Sequence, residues 1–218
     1  MKKRVLCYGD SNTWGFIPGT RQRYPEDVRW TGICQQLLGD EYVILEEGLS
    51  GRTTALDDPI EPDYLNGLKG LGYSLNTHKP VDLVVIMLGT NDLKYTTANI
   101  AAKGAAELVR RTMKADSFFA ASSPVLRNGP RVLLVSPIRI HENIADVQWT
   151  SFPPNSAAEA ARFPALYKLI AEQTGCHFLD AADYAEPSTI DCLHMSEESH
   201  KNLAHAMADA IRSILADL

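Results

Sequence analysis

Short apolar runs alternate with longer stretches of helical periodicity along most of the chain. Residues 4–8 turn apolar after Arg4 and stop at Gly9, which predicts a strand. Trp30, Ile33, Cys34, Leu37 and Leu38 recur at helical spacing and end at Gly39, a residue suited to a helix C-terminus. Residues 42–45 predict a second strand and 83–88 a third. The third is apolar at every position, the pattern of a strand covered on both faces by helices. A helix is predicted over 100–113, a fourth strand over 131–135 before Pro137, a helix over 157–174 that breaks or restarts at Pro164, and a short fifth strand over 177–179. The closing helix runs over 196–218, with Ser196 as its N-cap and Leu203, Met207, Ile211, Ile214, Leu215 and Leu218 as its apolar stripe. Strands alternating with helices imply right-handed crossovers and a parallel sheet. About five strands fit a three-layer α/β/α sandwich of flavodoxin-like type, read as a single domain over the chain. Two stretches, 52–80 and 139–155, show no periodicity and are read as long irregular segments, which in compact domains usually serve function.

Composition is that of a soluble globular protein, with 45% hydrophobic and 22% charged residues. Charge narrows the partners. A net charge of −6 without a basic run argues against nucleic acid and against an anionic membrane surface. No apolar stretch approaches the roughly 20 residues that span a bilayer. Met1-Lys2-Lys3-Arg4 is basic enough to begin a secretory signal, but Asp10 cuts the following apolar run short, so a cytoplasmic location is expected. Cys7, Cys34, Cys176 and Cys192 form no CxxC pair and read as free thiols, Cys7 and Cys34 as small core residues.

Open parallel sheets bind ligands beyond the carboxyl ends of their strands. The loops after the expected strands carry Gly9-Asp10-Ser11-Asn12, Gly48-Leu49-Ser50-Gly51-Arg52, Gly89-Thr90-Asn91-Asp92, Ser136-Pro137, and a segment ending in Asp191-Cys192-Leu193-His194. A nucleophile, oxyanion donors, a base and an orienting acid are the parts of acyl transfer. Ser11 alone could be a helix N-cap, and Asp191 alone a turn residue. Their spacing to a histidine just before the last helix favours chemistry, because a turn over Asp191 to His194 can set the carboxylate on one imidazole nitrogen and leave the other for Ser11. Asn91 could donate to an oxyanion or close an Asx turn, a structural part that suits Asp92 better. Gly51 could offer a backbone N–H. Thr13 replaces the second glycine of a G-x-S-x-G elbow, and no phosphate-loop lysine is present. His78, His141, His177, His200 and His205 read as surface or loop residues. His200 and His205 stand about 140° apart on a helix, so no metal site is expected.

In these blocks the sequence resembles the SGNH hydrolases, or GDSL esterases and lipases. Gly9-Asp10-Ser11 matches the first block, Gly51 the second, Gly89-Thr90-Asn91-Asp92 the third, and Asp191-x-x-His194 the last, in order and across the whole chain. The stretches Asp27-Val28-Arg29-Trp30-Thr31-Gly32 and Glu46-Glu47-Gly48-Leu49-Ser50-Gly51-Arg52-Thr53-Thr54 look like the bacterial arylesterase branch. The resemblance implies a serine esterase without cofactor, acting on short acyl or aryl esters and able to pass the acyl group to other acceptors. Ser11, His194 and Asp191 would form the triad, and Ser11, Gly51 and Asn91 the oxyanion hole. Asn12, where the family name has leucine, is expected to leave this set untouched. Trp14, Arg52, Trp149 and Phe152 are candidates for lining the substrate pocket. A homo-oligomer is also expected, with the apolar residues of 139–155 (Ile140, Ile144, Val147, Trp149, Phe152) at an interface, although folding back onto the chain's own core is nearly as good a reading. A flavodoxin-like module holding a phosphate or flavin is the alternative, and it would have little need of Asp191 and His194. An aspartyl phosphotransferase using Asp10 would want a second acid where Asn12 stands.

Overall fold

The computed structural model describes residues 1–61, 63–119, 123–147 and 151–218. β1 (Lys3–Gly9) pairs in parallel with β2 (Tyr42–Gly48) on one side and β3 (Leu83–Met87) on the other. β4 (Val132–Ser136) and β5 (His177–Asp180) extend the sheet beyond β3, also in parallel. The order β2-β1-β3-β4-β5 is the flavodoxin-like order, with its switch point between β1 and β3.

Side chains alternate across each strand. Leu6, Tyr8, Val84, Ile86 and Leu134 therefore enter one core, and Val5, Cys7, Leu83, Val85, Leu133 and Val135 the other. Helices in chain order are α1 (Ser11–Trp14), α2 (Trp30–Leu38), α3 (Gly67–His78), α4 (Ala98–Met113), α5 (Ala115–Phe118), α6 (Ser156–Ala160), α7 (Phe163–Thr174) and α8 (Glu197–Ile214). α3, α4 and α7 cover the first face, α2 and α8 the second, which is why β3 carries no polar position. Ser196 caps α8 by accepting from the Ser199 N–H at 3.3 Å. The 157–174 stretch is two helices, with Pro164 in the first turn of α7. Among the described residues no helix is long and apolar enough to cross a membrane.

Three expectations need correction. Segment 52–80 is not irregular throughout, since it contains α3. Gly67, Gly70 and Gly72 hide the helix from a propensity reading. Asn66 starts it by accepting from the Leu68 and Lys69 N–H groups at 3.0 and 3.2 Å, and Leu71 and Leu75 bury its inner face. Second, Ile140, Ile144 and Phe152 pack into the chain's own core rather than forming an exposed face. Trp149 lies outside the described residues. Third, His200 is a core residue. Its Nδ1 accepts from the Trp30 N–H at 3.3 Å and its ring meets Tyr24 edge-on at 5.3 Å, while His205 is exposed.

Candidate active site

Each strand end contributes one loop. β1 ends at Gly9, and the chain turns through Asp10 into α1, so Ser11 sits on its first turn. The Asp10 side chain fixes the turn by accepting from the Asn12 N–H at 3.0 Å. Burial pushes the Asp10 carboxyl up to about 6, against the pull of that hydrogen bond and of His194. Gly48, at the end of β2, permits the close approach, since a Cβ there would stand 2.2 Å from the Trp14 nitrogen.

From the far end of the chain, the turn before α8 brings His194 to Ser11. Asp191 Oδ2 lies 2.8 Å from His194 Nδ1, and His194 Nε2 lies 2.9 Å from Ser11 Oγ. A carboxylate only accepts, so Nδ1 carries the proton and Nε2 is left to accept from the serine hydroxyl. Asp191 is fully buried. Its Oδ1 also accepts from the Leu193 and His194 N–H groups at 3.1 and 2.9 Å, and its Oδ2 from Gly19 at 3.0 Å. Burial alone would raise this carboxyl, but the hydrogen bonds and charge of His194 outweigh it and leave it below the ordinary value. Phe16 stacks on the imidazole with centroids 4.2 Å apart and planes 23° apart.

Asn91 opens the 3₁₀ turn after β3. One of its amide N–H groups donates to the Arg52 carbonyl at 3.2 Å, a second N–H remains on the same nitrogen, and the residue lines the cavity. Gly51 has φ of +87°, a left-handed conformation that favours glycine. Among the described residues the backbone N–H groups of Ser11 and Gly51 take no partner. Asp92 holds this wall together, accepting from the Thr54 N–H at 2.9 Å and the Thr54 hydroxyl at 2.6 Å, and burial pushes its carboxyl up to about 6.

These groups surround a cavity of about 230 Å³ lined by Ser11, Gly51, Asn91 and His194, together with Phe16, Ser50, Glu61, Lys94, Ser151, Phe152 and Leu193. Of the four pocket candidates, Phe152 lines this cavity, Trp14 and Arg52 do not, and Trp149 lies outside the described residues. Arg52 turns away beneath the site, where its guanidinium donates to the Gly9 and Glu47 carbonyls and lies 4.0 Å over the Tyr8 ring. Trp14 is half-buried, 6.2 Å from Phe16 and beneath the Arg23 guanidinium. Asn12 also departs from expectation, because it bonds the backbone on both sides of His194: Nδ2 donates to the Leu193 carbonyl at 3.3 Å, and Oδ1 accepts from the Met195 N–H at 3.0 Å. Sequence reasoning missed Phe16 and Lys94. Lys94 was discoverable, since it stands three residues after Asn91 in a turn where positions i and i+3 share a side.

The arrangement can bring a hydroxyl, an imidazole and a buried carboxylate to bear on a carbonyl carbon while three N–H groups receive its oxygen. Comparisons with known proteins point the same way. Residues 7–201 match the GDSL-like lipase/acylhydrolase family. No curated protein matches the chain significantly. A solved carbohydrate acetylesterase from Sinorhizobium meliloti is 37% identical over 97% of this chain and 99% of its own, with a TM-score of 0.88. The native M. smegmatis aryl esterase is 34% identical over 97% of this chain and 99% of its own, with a TM-score of 0.85. A lipase/acylhydrolase from Enterococcus faecalis, at 16% identity and a TM-score of 0.66, shares the fold. The ordered sequence blocks, the strand-end loops and a match over nearly the whole chain agree, and the protein belongs to the GDSL-like lipase/acylhydrolase family.

Proposed function

We propose that the protein is a serine esterase for short acyl or aryl esters. Ser11 Oγ attacks the ester carbonyl as His194 Nε2 takes its proton, and Asp191 stabilises the resulting imidazolium through Nδ1. The Ser11 and Gly51 N–H groups and the Asn91 amide receive the oxyanion. Collapse of the tetrahedral intermediate returns the proton from His194 to the leaving alcohol and leaves an acyl group on Ser11. Water, or another hydroxyl-bearing acceptor, then attacks that acyl group by the same route in reverse.

The observation that carries this reading is the unbroken relay from Ser11 through His194 to Asp191, at 2.9 and 2.8 Å, opening on a cavity of about 230 Å³. A volume of that size suits a short acyl chain, and the two esterase relatives are named for acetyl and aryl esters. The test is labelling with a fluorophosphonate, with the adduct then mapped. The expected adduct is on Ser11, lost in Ser11→Ala and strongly slowed in His194→Ala. An adduct on another residue, or none on the folded protein, overturns the reading.

A further inference from the structure

The base and the nucleophile come from opposite ends of the chain, so something must set the distance between them. Segment 12–19 reaches the turn before α8 at three places. Gly19 N–H donates to Asp191, Phe16 stacks on His194, and Asn12 holds the backbone. Among the described residues, only Asn12 does so from the position next to Ser11, and only Asn12 grips both peptide groups that flank His194. Its side chain is 3% exposed, and both of its polar atoms are used. The remaining groups of the turn are tied off elsewhere. The His194 N–H donates to Asp191 Oδ1 at 2.9 Å, and the His194 carbonyl accepts from the Ser188 N–H at 2.7 Å. The Asn12 N–H is itself pinned to Asp10, so the bracket stands on the same turn that presents the nucleophile.

We infer that Asn12 is a positioning residue for the base: its primary amide clamps the peptides on either side of His194 and thereby fixes Nε2 against Ser11 Oγ. The inference rests on the serine-esterase reading. A primary amide is suited to this part because it donates and accepts at once across one plane and carries no charge. A charged side chain there would perturb an imidazole that already faces Asp191 and, at longer range, Asp10 and His200. Leucine fills comparable space but leaves the Leu193 carbonyl and the Met195 N–H buried without partners. The turn would then relax by a fraction of an ångström at the proton-transfer step while the oxyanion donors stay in place.

The test compares Asn12→Leu with the parent protein in p-nitrophenyl acetate hydrolysis and in the rate of fluorophosphonate labelling. The expected result is a fall in kcat of about 10- to 100-fold with KM within about twofold, and labelling slowed by a similar factor, because misplacement of reacting groups acts on the chemical step. Asn12→Asp keeps the shape and the acceptor for Met195 but sets a carboxylate oxygen against the Leu193 carbonyl, and it is expected to lose activity in kcat as well. It also serves if Asn12→Leu does not fold. Variants that unfold more easily yet label and turn over at the parent rate overturn the inference, since Asn12 would then hold the fold and not the base. A loss confined to KM overturns it too. A parent protein that does not label at all overturns the esterase reading and this inference together, whereas a labelled parent with an equally fast Asn12→Leu overturns this inference alone.

Discussion

His200 offers a sharp test of the packing around the site. Its ring is fully buried between α8, Trp30 and Tyr24, and burial, aided by the charges of His194 and Arg29, pushes it down to about 3 from an ordinary 6.5. In the fold it stays neutral through mildly acid solution, while in the unfolded chain it takes up a proton below about 6.5. Lowering the pH therefore favours the unfolded state. Between about pH 7.5 and about pH 4.5 this single group should withdraw about 2–3 kcal/mol of stability, full loss being reached only near its folded value. The perturbation is His200→Asn, which keeps an acceptor near the place of Nδ1 for the Trp30 N–H but does not titrate. The variant loses some packing at every pH. The measurable quantity is the difference in urea unfolding free energy between parent and variant, tracked across that pH range. It should shrink, or change sign, by about 2–3 kcal/mol as the pH falls. Asp10 and Asp92, both held near 6 by burial, tilt the curve the other way, because the folded form binds their protons first. They are common to both proteins and cancel in the difference. A gap that stays constant with pH would refute the reading of His200 as a buried neutral ring.

Asn91→Ala should lower kcat by about 10²–10³ with a smaller effect on KM, because its donor strengthens only as the oxyanion forms; steady-state kinetics on p-nitrophenyl acetate checks this, and a change in KM alone contradicts it. Cys192→Ala should stay active. The Cys192 thiol is buried and pushed up by that burial, so little thiolate is present, and iodoacetamide should neither modify it readily nor inactivate the enzyme. A p-nitrophenyl series should favour acetate to butyrate over long chains, given a cavity of only about 230 Å³, lined in part by Phe152 and Leu193, and rates that rise steadily toward palmitate would contradict a narrow acyl site.

The parts of the site that could be read from the sequence are those that topology places. In a parallel sheet every strand delivers its C-terminal loop to one edge, so Ser11, Gly51, Asn91 and the Asp191–His194 turn had to meet once the strands were recognised. Burial on both faces made β3 and β4 legible as continuous apolar runs. What escaped was decided by tertiary contact. α3 carries glycines that argue against a helix, and Gly67 is needed there because a Cβ would stand 2.6 Å from the Thr53 carbonyl. Arg52 comes directly after Gly51 and looks like a substrate ligand, but nothing in its spacing reveals that two backbone carbonyls and the Tyr8 ring claim it first. His200 sits on the buried side of an amphipathic helix, where its partner is a backbone N–H from a helix far away in sequence.

Several buried polar residues beside the cavity share a structural role that explains their chemistry. The loops at the sheet edge have no ladder to hold them, so their backbone groups must be paired by side chains. Asp92 ties the Asn91 turn to Thr54, the Asn91 amide ties itself to the Arg52 carbonyl, Arg52 ties the Gly51 loop to Gly9 just before Ser11, and Asn12 ties the Ser11 turn to the backbone around His194. The chain of contacts runs without a gap from one wall of the cavity to the other. It has an energetic cost. Burial lifts the Asp10 and Asp92 carboxyls to about 6, so ionising them at neutral pH works against the fold, and apolar replacements would pack the same space more cheaply but would release the loops. The loops around the cavity are therefore held by buried polar side chains whose hydrogen bonds go to other parts of the protein. Arg52 is one of them, and its place directly after Gly51 is what makes it look like a pocket residue in the sequence.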